Sequence, residues 1–303
     1  MPDSGESRLK GMAFMAVSLA LVLLGNALAR DLASRYPVGE VLFLRFLVSL
    51  VVIVPLAWRD AGIAAFMTGH PLLHLGRAAC GISAVGILYA ATQHLPFADL
   101  IALSYTAPLF VALLSPFLLG ERVDARLLKL ILLGFGGVLL IATPNQFGMW
   151  SIAVVGIALL NALCAIGARH FGRKDGVAVT TALFALYGTA LSLPIGMTDF
   201  AIPMLVDLPV FAALGLVTGL AIHLNALAFR AAPAASVAPV DNFGIVAAAG
   251  IGWVAWGELP TLAAMAGGTL ITVSGLLILH DARRAGTALD RYPSGVHVRQ
   301  KAL

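Results

Sequence analysis

Ten apolar runs follow one another along this chain, each close to the length of a bilayer-crossing helix, with only short polar breaks between them. They lie near residues 9–29, 38–58, 71–93, 98–118, 127–143, 150–170, 177–198, 206–229, 237–257 and 262–281. A helix needs about 20 mostly apolar residues to cross the hydrocarbon of a membrane. Breaks such as RDLASRYP, GERVDAR and FGRKDG are too short to fold as soluble domains. Lipid offers the backbone no hydrogen-bond partners, so a spanning segment must be helical or part of a closed barrel, and the alternation of barrel strands is absent. The expected fold class is therefore all-α integral membrane. Composition agrees: the chain is 60% hydrophobic and 11% charged, whereas a soluble domain carries about 25% charged residues.

The placement of charge orients the spans. With the N-terminus inside, fifteen of the 19 Lys and Arg residues fall in inner loops or in the polar tail. Arg30 and Arg35 fall outside, and Arg45 and Arg77 within spans. Positive loops stay cytoplasmic, so both termini are expected inside, in an inner (plasma) membrane. The two cysteines, Cys80 and Cys164, sit apart in apolar runs and make neither a disulfide framework nor a metal site. The N-terminal run, with its basic start and Ala-x-Ala at Ala27–Ala29, has the outline of a signal peptide. A repeat argues against cleavage there.

FLLGE (residues 117–121) and VAWGE (residues 254–258) close two runs 137 residues apart, and Pro96 and Pro233 stand 25 positions before the two glutamates. The same gap-free offset lays LLI at 139–141 on LLI at 276–278 and aligns the first five runs with the second five. Five is odd, so the second unit enters the membrane from the opposite side. The expected organisation is two inverted five-helix repeats, 1–143 and 148–281, followed by a basic cytoplasmic tail, 282–303. Inverted repeats belong to secondary transporters, where exchanging the two conformations moves access from one side to the other. Glu121 and Glu258 are then expected at opposite faces, as structural helix ends.

The stretch LPFADLIALSYTAPLFVALLSPFLLGERVDARLLKLILLGFGGVLLI resembles the half-unit of the drug/metabolite transporter superfamily, in its ten-helix EamA-type branch. The resemblance rests on a Pro and Ala opening, the mid-helix Pro108, the Gly-Glu close and a Gly-rich fifth helix. APAASVAPVDNFGIVAAAGIGWVAWGELPTLAAMAGGTLITVSGLLIL repeats it without a counterpart to Pro108. EVLFLRFLVSL resembles the branch's Arg-containing second span. The resemblance implies an exporter of amino acids, related metabolites or toxic compounds, with the aromatic amino acid exporters as the leading subgroup. Export of drugs or another metabolite stays open. An intramembrane enzyme or a receptor-like protein is disfavoured, because no catalytic constellation is visible.

An ionisable group inside a span costs roughly 2.5–3.5 kcal/mol on insertion scales, so each one wants a reason. Arg45 either holds a substrate carboxylate or ties to backbone carbonyls or a helix end. Because the family pattern carries this Arg whatever the substrate, the tie is favoured. Asp241 is the coupling candidate, with a first-turn helix-dipole role as its alternative. Asp99 and Glu40 open their helices and are read as dipole residues. The polar and aromatic cavity candidates are Asn26, Tyr89, Tyr105, Asn161, Tyr187, His223, Asn242 and Trp253, each with packing or an interhelical hydrogen bond as the alternative. His223 and Asn225 are two apart and face different surfaces of their helix. Pro108 is a candidate gating kink, and Gly215 with Gly219 a close-packing motif. No nucleotide-binding glycine loop and no metal-binding motif occurs. The expected partners are a small-molecule substrate and the lipid bilayer, with no cofactor, no metal and no nucleic acid, and a monomer is the expected state.

Overall fold

The computed structural model describes residues 5–119, 125–141, 148–171, 175–232, 240 and 243–290. Among these residues the chain is helical and has no strand. The helices are α1 (Gly5–Ala33), α2 (Val38–Ala61), α3 (Pro71–Ala91), α4 (Phe97–Ser104), α5 (Ala107–Leu119), α6 (Ala125–Ile141), α7 (Met149–Phe171), α8 (Val177–Gly196), α9 (Leu208–Ala231), α10 (Phe243–Trp256) and α11 (Leu262–Asp290), with a 3-10 turn at Gly62–Phe66. Five of the described spans are long and apolar enough to cross a membrane singly, and five shorter apolar helices stand between and after them. Large apolar side chains coat the perimeter: Phe117, Val254 and Leu262 are each more than 80% exposed. A sheath of that kind is stable only against lipid.

Two features depart from the expected layout. The fourth run is not one helix but two, α4 and α5, broken at Tyr105–Thr106. Pro108 has no N–H to return to the carbonyl of Ser104, so the ladder fails one turn before it. The Thr106 hydroxyl instead bonds the Leu103 carbonyl at 2.7 Å, and the Leu109 N–H bonds Thr106 at 3.0 Å. The second departure is at the expected tail, where α11 runs on through 282–290 as helix; residues 291–303 lie outside the described ones.

The helices pair selectively. α1 lies on α9, α2 on α8 and α9, α3 on α7 and α8, α6 on α11, and α4 on α10 and α7. Glycines set the closest approaches. A Cβ on Gly219 would stand 3.0 Å from the Ser49 carbonyl, and one on Gly215 3.2 Å from that of Arg45, so α2 and α9 touch along their backbones. α6 and α11 meet at Gly137 and Gly267 in the same way. α10 ends at Gly257, whose φ of +67° only glycine adopts cheaply. The N–H groups of Gly257 and Glu258 then fold back onto the carbonyls of Trp253 and Gly252. The twin at Glu121 lies outside the described residues.

Candidate substrate site

Four of the candidates meet in one layer of the bundle. α2 and α9 run side by side in the same direction, with Gly215 on Val48 and Gly219 on Val52. Gly25 of α1 packs on Leu214, Val217 and Thr218, which puts Asn26 at the level of Arg45. Gly188 of α8 packs on Phe46, which puts Tyr187 there too. The fourth is Tyr89 of α3, fully buried, whose hydroxyl accepts a hydrogen bond from the Arg45 guanidinium at 2.7 Å. Asn26 is buried, on the stripe of α1 that carries Leu19 and Leu23.

Arg45 is the chemical centre of this layer. Its guanidinium lies 5.4 Å from the centres of both the Phe46 and Tyr89 rings. Its Nε is buried with no hydrogen-bond partner. The expected tie to backbone is therefore replaced by a tie to Tyr89, and it leaves donors over. A guanidinium held on aromatic faces with free planar donors is suited to a carboxylate.

The other candidates divide. Tyr105, at the α4–α5 break, presses its ring against Gly244 of α10 beside Leu19 of α1. Asn161 sits two turns after the buried Val154 on the same stripe of α7, yet it is exposed, so that stripe opens onto accessible space at Asn161. His223 lies eight residues beyond Gly215 along α9, about 12 Å from the Arg45 layer at 1.5 Å per residue; its charged neighbours are Asp60, Arg59 and Arg230. It does not join Arg45. Trp253 is a correction: the buried stripe of α10 is Gly244, Ala248 and Gly252, and Trp253 points off it, 61% exposed on the sheath. An indole there serves the perimeter rather than a cavity. Asp241 and Asn242 lie outside the described residues. A groove of about 410 Å³ between α4, α10 and α11 is lined by Ala102, Val246, Met265 and other apolar side chains. It holds no charged group and none of these candidates, and its chemistry matches a lipid chain.

Three polar ties were not foreseen. Arg30, at the end of α1, grips Glu258 with both guanidinium arms, at 3.0 and 2.5 Å, and stacks on Trp256 at 4.3 Å. Glu258 also accepts the N–H of Phe97 at 2.8 Å, capping α4. Burial works against the charge on Glu258, but the bonds from Arg30 and Phe97 prevail and hold its carboxyl below the usual range. At the same end Asp207 accepts the Tyr36 hydroxyl at 2.6 Å and pairs with Arg35. These bonds, Tyr36 first, depress the Asp207 carboxyl and, by the same contact, raise the Tyr36 phenol. At the opposite end His74 meets Asp175 at 2.7 Å, and Thr68 donates to the same carboxylate at 2.9 Å. The His74 bond holds Asp175 below its usual range. The two cysteines, expected to be isolated, also come near each other: Cys164 donates to the Arg77 carbonyl at 3.1 Å, close to Cys80. None of these pairs has a signature in spacing, because each joins residues 84 or more positions apart.

A helical bundle with a lipid-facing sheath, an interrupted helix and a guanidinium in its interior is the build of a membrane solute transporter. The comparisons make this particular. Residues 9–143 match the EamA-like transporter family. The pseudopaline exporter CntI of Pseudomonas aeruginosa strain UCBPP-PA14 is 33% identical over 82% of this chain and 88% of its own. The chain belongs to the EamA-like transporter family, and it is a multi-pass membrane transporter rather than an enzyme. A riboflavin transporter of Brucella anthropi is 28% identical over 79% of this chain and 87% of its own. An S-adenosylmethionine uptake transporter of Rickettsia prowazekii is 22% identical over 94% and 97%. One solved protein structure superposes with a TM-score of 0.65 at 22% identity, over 93% of this chain and 99% of that one, and shares the fold.

Proposed function

We propose that the protein is a secondary-active exporter of small carboxylate-bearing metabolites, amino acids among them, working by alternating access in an inner membrane with both termini cytoplasmic. The observation that carries the substrate class is Arg45, half-buried against two aromatic rings with its Nε buried and unpartnered. The relatives' names widen the substrate range beyond the aromatic amino acids suggested by resemblance, since they name pseudopaline, riboflavin and S-adenosylmethionine.

The inverted arrangement of units 1–143 and 148–281, with the tail from 282, is part of the same reading. Its support is the pairing of helices. Exchanging the first five spans with the second five turns α1 on α9 into α7 on α3, and α2 on α9 into α8 on α3. The α2–α8 and α6–α11 pairs map onto themselves. With the Lys and Arg distribution, the end carrying Arg30, Asp207 and Glu258 is the outer one. Both units are in one chain, so a monomer holds the whole path.

The test is transport by the purified protein in proteoliposomes, using labelled phenylalanine, tryptophan, threonine, S-adenosylmethionine and riboflavin and a cationic dye. The α-carboxylate compounds should be carried. Arg45→Gln should weaken their apparent affinity by about 10- to 150-fold, as expected for loss of a charged hydrogen bond of about 1.5–3 kcal/mol. Transport of the dye alone, or unchanged carboxylate transport by R45Q, would defeat the proposal.

A further inference from the structure

Asp99 opens α4, and a helix start accounts for an acid there only if the acid can reach the free N–H groups or water. It reaches neither with Oδ1: Asp99 is 4% exposed, and that oxygen is buried without a hydrogen-bond partner. The N–H that an acid at the third helical position takes, that of the N-cap residue, is missing because the cap is Pro96, and the next one, that of Phe97, belongs to Glu258. A buried carboxylate without a partner is very costly when ionised and inexpensive when neutral.

Its surroundings offer no compensating cation. Glu258, whose charge acts on Asp99, has the same sign, and the base nearby, Arg30, has both guanidinium arms on Glu258. His94, on the turn before α4, is stacked on Trp150 of α7 at 4.2 Å. α10 has no titratable side chain, α11 has none before His280, and α6 carries its Arg126 and Lys129 at the far end. Tyr105 stands at the other end of α4. Glu40 is the other acid with an orphaned oxygen, but its second oxygen takes the Ala201 N–H at 3.0 Å, so it is already half satisfied.

We infer that Asp99 is the proton-binding acid of the transport cycle: it takes up a proton from the outer side as the Arg30–Glu258 clasp closes over it, and releases it to the inner side once the path opens inward. The step is a simple protonation, with the carboxylate gaining one proton from external water and no bond elsewhere changing. Closure of the outer face then requires a proton, and an inward proton gradient favours return of the empty carrier to the inner side. This rests on the exporter reading above, and the experiment separates the two.

Full-length protein is reconstituted with a trapped pH-sensitive dye. Labelled phenylalanine, S-adenosylmethionine or riboflavin, whichever the wild type carries, is followed both in net transport down its own gradient and in substrate-for-substrate exchange. The wild type should move protons against substrate in net transport, and that transport should respond to pH; exchange, which needs no return of the empty carrier, should move none. Asp99→Asn should keep exchange and lose the proton movement and the pH response of net transport. Proton movement by D99N equal to wild type overturns the inference, as does a wild type whose net transport moves no protons; the exporter reading survives both results. A wild type that carries none of the probes overturns both. If D99N carries nothing, Asp99→Glu decides: proton movement retained with a shifted pH response supports the assignment, and net transport without proton movement overturns it.

Discussion

Replacing Glu258 with Ala removes three bonds at one point: two from Arg30 and one from the Phe97 N–H. The Arg30 and Glu258 side chains are 15% and 23% exposed. Breaking a fully buried pair costs about 3–5 kcal/mol; partial exposure and screening reduce this to about 2–3 kcal/mol. If the clasp holds the outer face shut, that energy biases the open state by roughly 30- to 150-fold. The assay places a single reporter cysteine at the buried Leu23 in protein carrying Cys80→Ser and Cys164→Ser, and measures its labelling by an impermeant thiol reagent from the Arg30 side. E258A should raise the labelling rate by that factor. Glu258→Gln keeps an acceptor for Phe97 and should raise it less. Arg30→Glu combined with Glu258→Arg should recover part of the closure, giving a coupling energy that independent sites lack. Labelling of E258A at the wild-type rate, or strictly additive effects in the double variant, would refute the argument.

Two further outcomes test the helix packing and the tie at Asp207. Gly215→Leu should destabilise the protein in detergent by about 1–3 kcal/mol, because the space beside Gly215 is filled by Val48 and the Arg45 carbonyl; Gly136→Leu, where a Cβ meets nothing within 4 Å, should unfold like wild type. Asp207 has a folded-state pKa below its unfolded value, so its stabilising effect is present above the ordinary carboxylate pKa and disappears as pH falls through the depressed one. Asp207→Asn should therefore flatten the acid limb of the unfolding-versus-pH curve, and a limb as steep as that of wild type would count against the Tyr36–Asp207 tie.

The spans were legible because lipid imposes a single rule on every one of them, and hydrophobic length reports that rule directly. The α4–α5 break was legible only in part. Pro108 marks a kink, but whether the ladder bends or stops depends on whether Thr106 and Leu109 find substitute bonds, which they do. Arg45 was visible as an anomaly, but its partner was not, since Tyr89 comes to it through the packing of α2 on α3. Trp253 was misread because a mid-span aromatic residue looks the same in sequence whether its stripe faces inward or outward, and α10 gives little periodicity to decide it. Asp99 looked like an ordinary first-turn acid. Only burial distinguishes it from a solvated one.

The loop ties bear on the proposed repeat. His70 caps α3 and Asp207 caps α9, and they stand 137 residues apart. Around Asp207 the partners are Arg35 and Tyr36, from the turn between α1 and α2. Around His70 the tie runs from Thr68 and His74 to Asp175, in the turn between α7 and α8. The same joint is thus made once at each end, with acid and base exchanged between its two sides. Both joints are made in the same structure and tie together α2, α3, α8 and α9. The Arg30–Glu258 clasp is different. The offset carries Arg30 onto Gly167, which has no charge to offer Glu121. A pair whose basic member the sequence does not repeat at that offset suits an element that holds one face alone, which the proposed alternation needs. Gating is therefore argued for the clasp over α4, with Asp99 beneath it, and not for the twinned loop joints.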